Sequence, residues 1–351
     1  MKFIKSYISI DHDTDVIKLD SNESYISMSS ELHSIIKSTL GLVELNRYPE
    51  NNNYKIRSLY ANYAGEGITQ ENIIAGCGSD EMLGLVIGAT IGKNRNLLSL
   101  SPDFSMYEYY VSLNDGNVIK FETAKDGYVD VDAFIEQGKR EKINLIIFSN
   151  PNNPTGYALS CGEIEKILTA FKDTYVIVDE AYYEFNGESM IKYINKYDNL
   201  IVTRTLSKAW GLAALRVGFL ISNKENINKL NSYKVPFNIS SLSQAAAEVA
   251  LENISRLKED TKVIVDEREM VYKELKEIEK EAALEIEFYS SKGNYIFGRT
   301  PYKDALFAGL KKDRIIIRNF EDDSFRITIG SSFENNLLIE SLKGVFIYGE
   351  K

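Results

Sequence analysis

The 351-residue chain is long enough to bury a large core, as two domains or as one large domain with an appendage. Its apolar share of 44% and charged share of 26% are those of an ordinary soluble protein, and no apolar run reaches the roughly 18 residues of a membrane span. A net charge of −10, with no basic run longer than two residues, argues against nucleic acid or an anionic membrane as the main partner.

Residues 1–20 read as a polar, acidic arm through Asp11-His-Asp-Thr-Asp15. Ser, Tyr and Lys interrupt the apolar residues of 1–10, so no signal peptide is expected and the compartment is read as the cytoplasm. The two histidines, His12 and His33, both lie near the N-terminus, and His12 reads as a solvated side chain. Cys77 and Cys161 stand far apart, so neither a disulfide framework nor a metal pattern is expected. Leu32, Ile35, Ile36 and Leu40 recur at helical spacing behind serines able to cap. Asn46-Arg-Tyr48-Pro49-Glu50 is a turn, and Tyr54 to Ala64 an amphipathic helix.

Asn72-Ile-Ile-Ala-Gly76-Cys-Gly78-Ser79-Asp80 reads as a strand, a glycine turn and a helix start, with Ser79 as the expected cap over an anion site. A short strand at 96–100 leads into Ser101-Pro-Asp-Phe104-Ser-Met-Tyr107 and a helix to Leu113. Val118 to Thr123 is a strand and Val131 to Gln137 a helix. Core strands follow at 144–149, 175–179, 199–203 and 217–221, with a helix at 161–172 between the first two. This alternation predicts an α/β domain with a mainly parallel sheet. A helix from 223 breaks at Val235-Pro-Phe, and 242–281 reads as one long solvated helix between domains. Strands at 283–289, 294–298, 314–318 and 325–329, with helices at 302–311 and 334–345, predict a second, α+β domain.

Three of the core strands deliver polar groups at their carboxyl ends, where open α/β sheets bind ligands. Asn144-Leu-Ile-Ile-Phe-Ser-Asn150-Pro-Asn-Asn153-Pro-Thr-Gly156 ends in a polar turn, and Tyr175-Val-Ile-Val-Asp179-Glu-Ala-Tyr182 ends in a carboxylate. Thr203-Arg-Thr-Leu-Ser-Lys208 ends in a lysine, which desolvation can turn into a nucleophile able to hold a carbonyl as a Schiff base. Thr205, Ser207 and Arg216 offer a phosphate two hydroxyls and a bidentate cation. A carbonyl and a phosphate on one ligand suggest pyridoxal 5′-phosphate, and Asp179 supplies the anion that keeps a pyridine nitrogen protonated.

Asn-Pro-Asn-Asn-Pro-Thr-Gly, Asp-Glu-Ala-Tyr and Thr-Leu-Ser-Lys, in this order, resemble the fold-type I pyridoxal-phosphate aminotransferases, and most nearly the histidinol-phosphate aminotransferase family. The resemblance runs from Leu19-Asp-Ser-Asn22-Glu23 to Arg326-Ile-Thr-Ile-Gly330. It implies a large α/β domain, its mainly parallel sheet sandwiched by helices, over residues 46–235. It further implies an interdomain helix and small α+β domain over 236–351, with residues 1–45 as arm and part of the small domain. Lys208, Asp179 and Tyr182 take the catalytic positions. Gly78, Ser79, Asp80, Thr205, Ser207 and Arg216 surround the cofactor phosphate, joined by Tyr48 from the other subunit of a homodimer with shared sites. Phe104 stacks on the ring, and Asn153 and Tyr182 bond its phenolic oxygen. Asn22, Asn153, Arg318 and Arg326 face the substrate. Ser24-Tyr25 departs from the family's usual Asn-Pro or Tyr-Pro, at the substrate-facing edge.

The implied reaction is ping-pong. Lys208 first holds the cofactor and then moves a proton between the substrate carbon and the cofactor. Histidinol phosphate as donor leaves imidazole acetol phosphate, and 2-oxoglutarate resets the enzyme as glutamate. An aromatic amino acid is the competing donor. Threonine-phosphate decarboxylases resemble the same family, but the His-Gly-Gly-Asn segment expected near their N-terminus is absent. The same fold also serves as a sensor domain in transcription regulators. The basic DNA-binding module that accompanies it there is not found in this acidic chain, so an enzyme is expected.

Overall fold

The structure, a computed structural model, describes residues 16–349. His12 and the acidic stretch from Asp11 to Asp15 lie outside the described residues. The described chain opens with β1 (Ile17–Leu19), α1 (Ser30–Leu40) and α2 (Tyr54–Ala64). Ser29 caps α1, its hydroxyl accepting from the Leu32 amide at 3.2 Å. Of the four apolar positions read on α1, Ile36 is buried, whereas Ile35 is 40% exposed and turns outward.

A seven-stranded sheet follows, built from β2 (Ile73–Gly76), β3 (Asn96–Ser101), β4 (Asn117–Glu122), β5 (Ile143–Ser149), β6 (Tyr175–Asp179), β7 (Leu200–Thr205) and β8 (Gly218–Ile221). Their order is β2-β8-β7-β6-β5-β3-β4. All neighbours from β7 to β4 run parallel, and β8 is antiparallel to both β7 and β2. The inner parallel strands β5 and β6 are apolar on both faces because helices cover both faces, whereas the edge strand β4 exposes Asn117 and Glu122. Leu145, Ile146, Ile147 and Phe148 are fully buried, each burial contributing about 1.5–3 kcal/mol. The crossovers are α3 (Gly78–Thr90), α4 (Met106–Leu113), α5 (Val131–Arg140), α6 (Cys161–Ala170) and the short α7 (Tyr183–Asn186), and α8 (Lys224–Asn231) follows β8. Ser160 and Glu163 form a capping box that starts α6.

The region read as a single helix over 242–281 is two helices, α9 (Ser241–Glu252) and α10 (Ser255–Glu281). Asn253 ends the first, its backbone leaving the helical range. Nor is α10 merely solvated. Leu257, Ile264, Val271, Leu275 and Ile278 form one buried stripe, so the charged face that dominates the sequence covers an apolar one.

That stripe packs into the core beside a five-stranded sheet made from β9 (Glu287–Tyr289), β10 (Tyr295–Arg299), β11 (Ile315–Asn319), β12 (Ser324–Thr328) and β1, in the order β1-β11-β12-β10-β9. The N-terminal strand β1 joins by parallel pairing with β11, Leu19 opposite Ile317. Helices α11 (Lys303–Lys312) and α12 (Ser332–Phe346) complete this part.

Candidate active site

The carboxyl ends of the parallel strands meet in one place, and Asp179 at the end of β6 is its buried centre. One carboxylate oxygen accepts from the Tyr107 hydroxyl at 2.9 Å, the other from the Thr203 hydroxyl at 2.8 Å. Burial pushes this carboxyl up to about 6, against the opposing pull of those two bonds, and the nearby charge of Asp80 adds to the rise. Behind it, Arg204 and Glu180 are both under 3% exposed and joined by two bonds of 2.9–3.0 Å, which fix β7 to the residue following Asp179.

On the loop after β7, the Thr205 hydroxyl donates to the Ser207 hydroxyl at 2.9 Å, and Arg216 Nη1 donates to that same Ser207 oxygen at 3.3 Å. Arg216 has a left-handed backbone, φ 52°, which turns its side chain toward the N-terminus of α3. Its Nη2 meets Asp80 at 3.3 Å. Two glycines make this approach possible. A Cβ on Gly78 (φ +79°) would lie 2.7 Å from Arg216 Nη2, and one on Gly218 would lie 2.2 Å from the Ser79 amide nitrogen. The guanidinium thus lies against the first turn of α3, where free backbone amides favour an anion. The Arg216–Asp80 pair is close to half exposed and weak, so an incoming dianion can displace it. Ser79 does not cap α3 as its sequence suggests. The helix begins at Gly78, Cys77 holds the cap position, and the Glu81 carboxylate reaches back to the Cys77 amide.

Lys208 is half-buried, its Nζ donating to the Ser21 carbonyl at 2.9 Å and lying 5.8 Å from the centre of the Tyr182 ring. Glu184, two residues past Tyr182, accepts from Trp210, two residues past Lys208, at 3.2 Å, and from Tyr63 at 3.2 Å. Phe104 stands edge-on to Tyr107 with ring centres 5.7 Å apart. Asp103 beside it accepts from both the amide and the hydroxyl of Ser149, and burial raises its carboxyl to about 8.

On the other side of Lys208, Asn22 is fully buried in a left-handed conformation, φ 53°. Its amide side chain donates to the Tyr182 hydroxyl at 2.9 Å, and its backbone N–H to Thr328 at 2.9 Å. Arg326 on β12 donates from Nη1 to the Asn153 carboxamide oxygen and from Nη2 to the Asp20 carbonyl at 2.6 Å. Arg318 on β11 is its direct cross-strand partner. Tyr48 stands apart from these groups: it is 83% exposed and stacks on Phe237 at 4.8 Å.

Sequence reasoning singled out Asp179, Lys208 and Phe104 and passed over Tyr107 and Thr203, which bond Asp179, and Asp103, which accepts from Ser149. Tyr107 carried one usable signal, a hydroxyl-bearing ring one helical turn after Phe104.

The family profile described as "Aminotransferase class I and II" matches residues 14–342. The chain belongs to this aminotransferase family. Among its relatives, the histidinol-phosphate aminotransferase of Clostridium novyi is 40% identical, covering 93% of this chain and 91% of the relative. That of Clostridium kluyveri is 38% identical, covering 94% and 93%. The crystal structure of histidinol-phosphate aminotransferase from Sinorhizobium meliloti in complex with pyridoxal-5′-phosphate superposes with a TM-score of 0.84 at 23% identity, covering 94% of this chain and 90% of that one, a likeness of fold.

The residues of this aminotransferase fit that cofactor. Asp179 is a buried carboxylate whose two side-chain bonds come from neutral hydroxyls, which suits a protonated ring nitrogen. The Gly78 cradle and Arg216 suit a phosphate. A prediction follows for the protein freed of cofactor. A carboxyl whose folded-state pKa of about 6 lies above the unfolded value of about 3.9 stabilises fully below the lower value and stops contributing as pH rises through the upper one. Chemical unfolding at about pH 5 and about pH 8 is expected to show wild type losing on the order of 1–2 kcal/mol that Asp179→Asn does not lose. Equal losses in the two proteins would show that burial leaves Asp179 unshifted.

Proposed function

We propose that this aminotransferase transfers the amino group of histidinol phosphate to 2-oxoglutarate, with pyridoxal 5′-phosphate bound at the carboxyl ends of β5, β6 and β7. The observation that carries the reading is Arg326, set directly across from Arg318 and donating to the Asp20 carbonyl, next to the Ser21 carbonyl that accepts from Lys208. Two guanidiniums on neighbouring strands present planar forks suited to an anion, and donor and acceptor both bring one, a phosphate and a carboxylate. The two clostridial relatives of that name support the choice of donor.

When bound, the cofactor supplies a carbonyl for the amine and a ring that draws negative charge away from the substrate carbon. The protein's part is positioning and proton movement. Asp179 keeps the ring nitrogen protonated. Lys208 Nζ takes the proton from the amino-bearing carbon and later returns it. Asn153 and Tyr182 would donate to the phenolic oxygen. Ser79, Thr205, Ser207 and Arg216 would hold the phosphate, Gly78 would give it room beside Asp80 at the first turn of α3, and Phe104 would cover the ring. Asn22, held between Tyr182 and Thr328, closes the substrate side.

The working unit is a homodimer. Leu42, Leu45, Tyr48 and Val235 are each more than 60% exposed around the Tyr48–Phe237 stack, a patch suited to a second copy that would lend Tyr48 to the phosphate. Sedimentation equilibrium is expected to return twice the chain mass, and a monomer would reject shared sites. Among the described residues no helix is long and apolar enough to cross a membrane, and no cluster of His, Cys, Asp and Glu could hold a metal. We place the enzyme in the cytoplasm.

The test is a half-reaction. Histidinol phosphate added to the yellow holoenzyme without an oxo acid is expected to abolish the visible band, and 2-oxoglutarate to restore it. An unchanged band rejects this donor. Phenylalanine, tyrosine and O-phosphothreonine then discriminate the other readings, with carbon dioxide measured for the last.

A further inference from the structure

We propose that Tyr295 is a positioning residue that holds Arg326 against Tyr182 and so sets how tightly the enzyme grips an acidic substrate. The inference rests on the reading of Arg326 as the group that meets the substrate's anion. Tyr295 begins β10, opposite Thr328 of β12, and is fully buried. Its ring does two things at once. It meets the Tyr182 ring edge-on, centres 5.0 Å apart and planes at 80°, and it lies beneath the Arg326 guanidinium at 5.4 Å. Its hydroxyl donates to the Asn152 carbonyl at 2.5 Å. Burial raises this phenol far above its ordinary range, so it stays a donor at every working pH.

The next residue along, Asn153, accepts from Arg326. One side chain therefore steadies the arginine from two directions, through its ring below and through the 152–153 turn at the side. The same contacts tie a strand of the five-stranded sheet to the turn that follows β5 of the seven-stranded one. Arg326 is thereby kept in register with Tyr182, so substrate and cofactor contacts are set by a common support.

Ring and hydroxyl can be separated. Tyr295→Phe keeps both ring contacts and removes one hydrogen bond, while the Asn152 carbonyl retains its bond from Gly156 at 2.7 Å. Tyr295→Leu removes all three contacts. The probe is glutarate, a dicarboxylate with neither amino nor oxo group, titrated by calorimetry into the holoenzyme, alongside steady-state kinetics. Tyr295→Phe is expected to weaken glutarate about 3- to 10-fold, the scale of one hydrogen bond, and Tyr295→Leu by more than about 10-fold. KM for the oxo acid should rise in parallel with kcat little changed, because the grip is the same in ground and transition states. A purely structural role would instead lower the melting temperature and leave the folded protein's glutarate affinity intact, and that result overturns the proposal. Tyr295→Phe preserves the packing, so the test survives if Tyr295→Leu fails to fold. Glutarate binding to wild type but equally to both variants overturns the role of Tyr295 alone. No binding to wild type overturns the reading of Arg326 beneath it.

Discussion

Lys208→Ala is expected to abolish transamination, lowering turnover by at least about 10⁴-fold while the protein stays folded and retains cofactor affinity through its phosphate contacts. The reaction needs a group that can both bond a carbonyl carbon and then carry a proton. Neighbouring Arg216 and Arg326 cannot serve, since guanidinium stays protonated at any working pH. Lys208 is the amine placed among them, its Nζ aligned by the Ser21 carbonyl and lying beside the Tyr182 ring. The proposed phosphate cradle of Gly78, Thr205, Ser207 and Arg216 does not depend on that nitrogen. Cofactor should therefore co-elute with the variant on gel filtration, without the yellow band of the lysine-bound form. Near-normal transamination by the purified variant would sink the assignment of Lys208.

The parallel order of the core was legible because strand runs such as Leu145–Phe148 and Val176–Val178 are apolar without alternation, the mark of strands covered on both faces. Motifs at strand ends then announced Asp179 and Lys208. What stayed hidden depends on contacts between distant segments. Tyr107 reaches Asp179 across 72 positions, and Tyr295 reaches Asn152 across 143. No local periodicity encodes which buried tyrosine ends against which acceptor. The α9–α10 break was hidden for another reason. Asn253-Ile254 carries neither Gly nor Pro, and the flanking charges suggested one solvated face. The buried stripe at Leu257, Ile264, Val271, Leu275 and Ile278 was readable in principle, being spaced by sevens, a four and a three. The cap, which lies two residues before Ser79, was misread because a serine after glycine looks like a cap, yet Gly78 with positive φ already begins the helix.

Arg326→Leu is expected to lower kcat/KM by about 10²- to 10³-fold in both half-reactions, which is the cost of leaving a buried ionic partner unpaired. The side chain is 7% exposed and already oriented by Asn153 and the Asp20 carbonyl, so an arriving phosphate or carboxylate meets a fork that needs little reordering. Arg326→Lys keeps the charge but replaces the fork with a point donor, so it should recover only part of the loss. Arg318→Leu should cost less, since Arg318 is only half-buried and would border the anion from the neighbouring strand. The two half-reactions give the discriminating signal. If Arg326 gripped the donor alone, the variant would impair the step with histidinol phosphate and leave 2-oxoglutarate unaffected. Parallel losses mean that one arginine receives the anion of each substrate in turn, which is what a single site working in two alternating steps requires. Retention of wild-type kcat/KM with both substrates would remove Arg326 from the substrate site, and with it the argument from the paired arginines.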